Sequence, residues 1–115
     1  MPKKEIPAKR ERVVDMSNGM KMVMICYNEA VDAEVMEVLR ACALKNYTKV
    51  MGVFGSGEAS GIHLGNDIWP GKNNILYVAC EDKDGARLLA CVKELRKQIG
   101  KEGVKAFVLP LEDLS

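Results

Sequence analysis

The apolar positions of the chain fall into four short blocks and two longer periodic stretches. Met20–Tyr27 (MKMVMICY) is a nearly unbroken apolar run of strand length. From Val31 the spacing changes: Val31, Val35, Val38, Leu39, Cys42 and Ala43 recur at helical intervals, with Asn28 and Asp32 as candidate N-caps. Glu29, Glu34 and Glu37 stand toward the start of that helix and Lys45 toward its end, as the helix dipole favours. Tyr47–Phe54 (YTKVMGVF), β-branched and aromatic, predicts a second strand, and Ile75–Cys80 (ILYVAC) a third. Asp82 or Asp84 then caps a second helix with the stripe Leu88, Val92, Leu95 and Ile99, and Gly100 stands at the C-cap. Val104–Leu109 (VKAFVL) predicts a fourth strand, stopped by Pro110.

This order is a doubled strand–helix–strand motif. It predicts an α+β domain of ferredoxin-like βαββαβ topology, a four-stranded antiparallel sheet in the order 4-1-3-2 with both helices on one face. Within it, strands 1 and 3 are expected as central, parallel neighbours, which sets Cys26 and Cys80 at the same end of the sheet, on faces that the parity leaves open. Residues 55–74 form a long connection with five glycines, His63, Asp67, Trp69 and Pro70, and connections of this length usually carry function. Residues 1–19, with Pro2, Pro7 and Ser17-Asn18-Gly19, read as a flexible basic tail ahead of a domain over 20–115.

The predicted strands do not alternate apolar with polar, as a sheet with one wet face should. Met22, Met24 and Cys26 oppose Val23 and Ile25; Ile75, Tyr77 and Ala79 oppose Leu76, Val78 and Cys80; Ala106 and Val108 oppose Phe107 and Leu109. Two helices cover one face only. The other would expose more apolar surface than soluble monomers normally show. Burying several hundred Å² of it is worth on the order of 10 kcal/mol, comparable with the stability of a whole domain. An obligate assembly of identical copies is expected.

Charge adds little. Net charge is +1, with +3 in residues 1–12 and −2 in the remainder, so no global field draws in nucleic acid or an anionic membrane. No apolar run is long enough to span a bilayer, and no signal peptide opens the chain, so a cytoplasmic location and reduced thiols are expected. The sequence has no Ser/His/Asp order, G-x-S-x-G, P-loop or dinucleotide fingerprint, which argues against an enzyme. The strands lack the aromatic signature of RNA-binding sheets of the same topology.

Metal binding is the alternative reading. Cys26, Cys42, Cys80 and Cys91 make no C-x-x-C pair, but Cys26, the lone His63 and the thioethers of Met20, Met22 and Met24 are soft or borderline donors. Methionines on alternate residues are equally suited to adaptable packing at a subunit interface, the reading we favour. Trp69 is the natural anchor for a partner protein.

Three segments resemble the PII signalling proteins. MKMVMICYNEAVDAEVMEVLRA is similar to their first strand and "DEV" helix, KNYTKVMGVFGSG to their second strand and its glycine-rich exit, and EGVKAFVLPLEDL to the segment that closes their sheet. HLGNDIWPGKNN is similar to divergent PII-like members. The resemblance implies a homotrimer and an effector, an adenine nucleotide, bound between subunits. It also implies a T-loop-like connection at about Gly55–Asn73 that docks onto a partner such as a membrane transporter or an enzyme. By position it implies phosphate contact by Lys105, with Gly103 in the preceding turn and Gly55 and Gly57 at the loop base; His63, Asp67 and Trp69 fall in the docking loop. The chain departs from the family in reading Glu102-Gly103-Val104-Lys105 at the turn, in ending at Ser115 without the arginine-bearing final segment, and in having no tyrosine in the connection to accept a modification.

Overall fold

The computed structural model describes residues 19–55, 72–100 and 103–115. Strand β1 (Met20–Asn28) passes through a 3₁₀ turn (Glu29–Val31) into helix α1 (Asp32–Ala41). Strands β2 (Thr48–Val53) and β3 (Asn73–Glu81) follow, then helix α2 (Asp82–Ile99) and strand β4 (Val104–Pro110). The four strands form one sheet in the order β2-β3-β1-β4, antiparallel at every pairing. The ferredoxin-like α+β topology and the 4-1-3-2 order are those expected from the sequence.

One expectation fails. β1 and β3 are antiparallel neighbours, not parallel ones. The α1 crossover returns β2 parallel to β1, and the next connection reverses the chain, so β3 must oppose β1. Cys26 therefore pairs with Ile75 and Cys80 with Lys21, five residues apart along the ladder, about 17 Å at strand rise. Cys80 shares the buried parity of Leu76 and Val78 while Cys26 lies on the other face, so the two thiols do not approach each other.

Helix boundaries depart from the sequence reading in instructive ways. Asn28 does cap, but it caps the 3₁₀ turn, accepting a hydrogen bond from the Ala30 amide at 2.9 Å. Asp32 is the first residue of α1 and its side chain turns elsewhere. Neither Asp82 nor Asp84 caps α2; both lie inside its first turn, behind Glu81, where they still favour the positive end of the dipole. Gly100 caps α2 at φ 103°, its amide donating to Arg96 O at 2.9 Å. α1 stops two residues short of Ala43, which sits at φ 58°. The Ala43 amide bonds to Arg40 O and the Leu44 amide to Leu39 O, both at 3.0 Å, a Schellman motif closed by an alanine instead of glycine.

The core lies between the sheet and both helices. Val23, Ile25 and Tyr27 from β1, Leu76 and Val78 from β3, Val35 and Leu39 from α1, and Leu88 and Val92 from α2 are all essentially buried in one cluster. On the opposite face, cross-strand rows are also apolar: Met22 stands between Ala79 and Leu109, and Met24 between Tyr77 and Phe107. Phe107 is 43% and Leu109 46% exposed, and Val50 on β2 is exposed as well.

Ala43 carries the steric cost of the left-handed conformation, which a glycine would not. Ala43→Gly should therefore raise stability by roughly 0.5–1 kcal/mol, against the usual direction for point changes. Urea unfolding midpoints of the two proteins check this; an unchanged or lower midpoint contradicts it.

Candidate functional site

The end of β1 is where the loops that the sequence reading singled out converge. The Asn28 amide donates to Gly103 O at 3.0 Å, and the Glu29 amide donates to Lys72 O at 3.3 Å. The turn after β1 is thus tied on one side to the start of β4 and on the other to the close of the β2–β3 connection. Gly103 lies just before β4, and a Cβ there would come 3.2 Å from Ile99 Cδ1. Gly55, at the opening of the connection, stands beside Asn73: a Cβ on it would lie 3.2 Å from Asn73 Nδ2. Gly55, Gly103 and Lys105 therefore share one end of the sheet. Gly57, His63, Asp67 and Trp69 lie outside the described residues.

Lys105 lies on the uncovered face, opposite Cys26, and is exposed. Burial raises the Cys26 thiol above its ordinary value, and the nearby Lys105 cation opposes that shift without cancelling it. Cys26 at neutral pH is a protonated, half-buried thiol. Among the described residues, no three His, Cys, Asp or Glu side chains are grouped to hold a metal ion.

A polar network beneath this end was not visible in the sequence. Asp32 Oδ1 accepts from Tyr27 Oη at 2.6 Å, from Lys49 Nζ at 2.8 Å and from Asn74 Nδ2 at 3.3 Å. Asn74, buried at the start of β3, uses its other amide atom to accept from the Gly52 amide at 3.3 Å. Gly52 has φ 69°, and the β2–β3 register slips between Val50 and Val53. This is a bulge, and glycine meets its left-handed requirement. One carboxylate thus joins β1, α1, β2 and β3 just below the base of the connection. Burial alone would raise the Asp32 pKa, but the bonds and charge from Lys49 and the bonds from Tyr27 and Asn74 outweigh it, and the net shift is downward. The Tyr27 hydroxyl is pushed up, first by burial and then by its bond to Asp32. The spacing Tyr27 to Asp32 crosses a strand end and a 3₁₀ turn, so neither a two-residue nor a 3.6-residue period flags it.

Fold and site together define a small α+β domain whose long connection and final-strand turn meet at one end of an antiparallel sheet. The chain belongs to the nitrogen regulatory protein P-II family, whose model matches residues 20–115. No curated protein matches the sequence. Among solved structures, one similar fold is CPII from Thiomonas intermedia K12, bound to ADP, AMP and acetate; at 16% identity the match has a TM-score of 0.60 and covers 78% of this chain and 83% of that one. A structure from Thermus thermophilus, described as a PII-like signalling protein, is 20% identical with a TM-score of 0.57, covering 77% of this chain and 82% of that one. A DUF3240 family protein of Shewanella baltica shares the fold at 8% identity and a TM-score of 0.54, over 84% of this chain and 94% of that one. No helix among the described residues is long and apolar enough to cross a membrane.

Asp32→Ala leaves the buried Tyr27 hydroxyl and the Asn74 amide without their acceptor and should cost about 1–3 kcal/mol. The Asp32 carboxylate has a lowered folded pKa, so its contribution is full above the unfolded value of about 3.9 and is lost as pH falls through the folded one. With 37% of the side chain exposed, that contribution is modest. Urea midpoints at pH 7 and pH 3 should converge for wild type and Asp32→Asn as the pH falls; a gap that widens toward pH 3 contradicts the assignment.

Proposed function

We propose that this chain is a homotrimeric regulator of the P-II type, with residues 20–115 as its folded unit and 1–19 as a basic extension. A small effector, an adenine nucleotide, binds where subunits meet. The connection at about Gly55–Asn73 docks onto a partner protein such as a membrane transporter or an enzyme. Its role is to report effector binding, with no bond made or broken by the chain, and cytoplasmic placement belongs to the same reading.

The observation that carries this reading is the uncovered sheet face. Met22, Met24, Ile75, Tyr77, Phe107 and Leu109 form a continuous apolar surface that α1 and α2 do not reach. Copies of the same chain supply cover for it by symmetry. Lys105 stands at one end of that surface, beside the turn at Gly103 and on the same side as the loop base at Gly55 and Lys72. A subunit contact over the apolar rows brings a neighbour's surface against this cationic end, which suits a phosphate group. Asp32 does not oppose it, because Lys49 already neutralises that carboxylate. The ADP and AMP bound to CPII support an adenine nucleotide as the effector class. Gly57, His63, Asp67 and Trp69 take their roles in the loop from the same family likeness. A bound effector that orders the loop in one conformation shifts its population toward, or away from, the docking form.

Sedimentation velocity at micromolar concentration in physiological salt should show a species of three times the 12.7 kDa chain mass. Phe107→Glu, which places a charge among the apolar rows, should shift it toward smaller species. A lone wild-type protomer overturns the assembly. Calorimetry with ADP should give saturable binding that Lys105→Ala weakens by roughly tenfold or more, the loss expected of a charged hydrogen bond. Binding unaffected by Lys105→Ala removes that residue from the site.

A further inference from the structure

Two of the four cysteines meet in the helix layer, away from the candidate site. Cys42, the C-cap of α1, and Cys91, in the middle of α2, are 49 positions apart in sequence, yet their sulfurs lie 3.7 Å from each other. Cys42 is buried and Cys91 is half-buried. The contact is held in place by main-chain anchoring. Arg87 lies one helical turn before Cys91 on α2, and its Nη2 donates to Cys42 O at 2.8 Å and to Asp84 Oδ1 at 3.0 Å. The Cys42 amide in turn donates to Val38 O at 3.1 Å. Helix α2 thus grips the end of α1 at the residue whose side chain meets Cys91. A disulfide requires the sulfurs to close from 3.7 Å to the bonded separation of about 2.05 Å.

We propose that Cys42 and Cys91 are an oxidative modification site, forming a reversible intramolecular disulfide that staples the end of α1 to α2. The half-buried Cys91 meets the oxidant, a low-molecular-weight disulfide. Its thiolate attacks one sulfur of that molecule, forms a mixed disulfide and releases the first thiolate. Cys42 then gives up its proton, attacks Cys91 Sγ and expels the second. Two protein thiols lose two electrons and two protons, and one small disulfide becomes two small thiols. Burial, the bond with Cys91 and the charge of Asp84 raise the Cys42 thiol, with the Arg87 cation opposing them, so Cys91 is placed as the first thiol to react. Cys26 and Cys80 have no such partner, being on opposite faces and far apart along the ladder. In a reducing compartment the pair stays a dithiol and closes only when the thiol poise shifts.

The test uses the full chain in glutathione buffers running from fully reduced to fully oxidised, quenched by alkylation under denaturing conditions. Peptide mapping should find the Cys42 and Cys91 peptides linked, with a mass loss of about 2 Da in the intact protein. In Cys91→Ser protein, Cys42 should remain a free thiol in the same buffers. The proposal is overturned if both cysteines stay alkylatable in the oxidised buffer, or if either links to another cysteine instead. It is equally overturned if Cys42 oxidises as readily without Cys91. Because the wild-type map needs no variant, a misfolded substitution cannot mask the result. The outcome is also independent of whether the chain binds a nucleotide or assembles as a trimer.

Discussion

Two helices cannot cover both faces of a four-stranded sheet, and the rest of this molecule follows from that constraint. The helix-facing rows are buried almost completely, from Val23 and Ile25 on β1 to Leu76 and Val78 on β3. The rows behind them are nearly as apolar and have no described element of the chain over them. β4 shows the imbalance most plainly. Val104 is buried under α2, whereas Phe107, Val108 and Leu109 are exposed on both faces as the strand runs out past the helix. An edge strand that ends this way, with an apolar side chain on each face, is a surface prepared for a neighbour and a liability without one.

The second organising feature is the end of β1. Three kinds of attachment meet within six residues: main-chain bonds from Asn28 and Glu29 to the two flanking loops, the Asn28 cap, and the Asp32 carboxylate with its three donors. Their effect is to fix where the long connection leaves and rejoins the sheet. Gly52 matters for the same reason. Its bulge turns β2 before the connection begins, and the buried Asn74 links that bulge to Asp32. In the proposed mechanism, a docking loop works only if its base is rigid, because a soft base would dissipate the effect of an effector bound beside it.

Topology was legible in the sequence because it depends on patterns that each element carries by itself. Strand-length apolar runs, helical spacing over Val31–Cys42 and Leu88–Ile99, and the glycine after the second helix suffice to order the elements, and crossover handedness does the rest. The doubly apolar strands were legible as well, and with them the second face. What escaped was whatever depends on two distant segments meeting. The antiparallel relation of β1 and β3 depends on the number of chain reversals between them, which no single strand records, and it sets Cys26 and Cys80 five residues apart along the ladder. Asp32 looked like a cap because aspartate before a helical stretch usually is one; its true partners, Tyr27, Lys49 and Asn74, come from three strands. Of the candidate site, Gly55, Gly103 and Lys105 fall at one sheet end, and the bonds that tie the loops there run through backbone atoms, on which residue identity leaves no mark.

The same reasoning explains why the pair of neighbouring thiols was invisible in the sequence. Cys42 and Cys91 sit on different helices, and nothing in either helix's own period marks them as partners. Their proximity follows from the way α1 and α2 lie side by side on a sheet whose order sets both crossovers. Arg87 adds a polar tie between the two helices, and it does so at the C-cap residue, where α1 has run out of helical hydrogen bonds and has a carbonyl to offer. Attachments that define the loop base gather at the end of β1 around Asp32 at the start of α1, while the thiol pair lies where the end of α1 meets α2. A covalent tie there would stiffen the scaffold without touching the surface on which copies of the chain are proposed to meet.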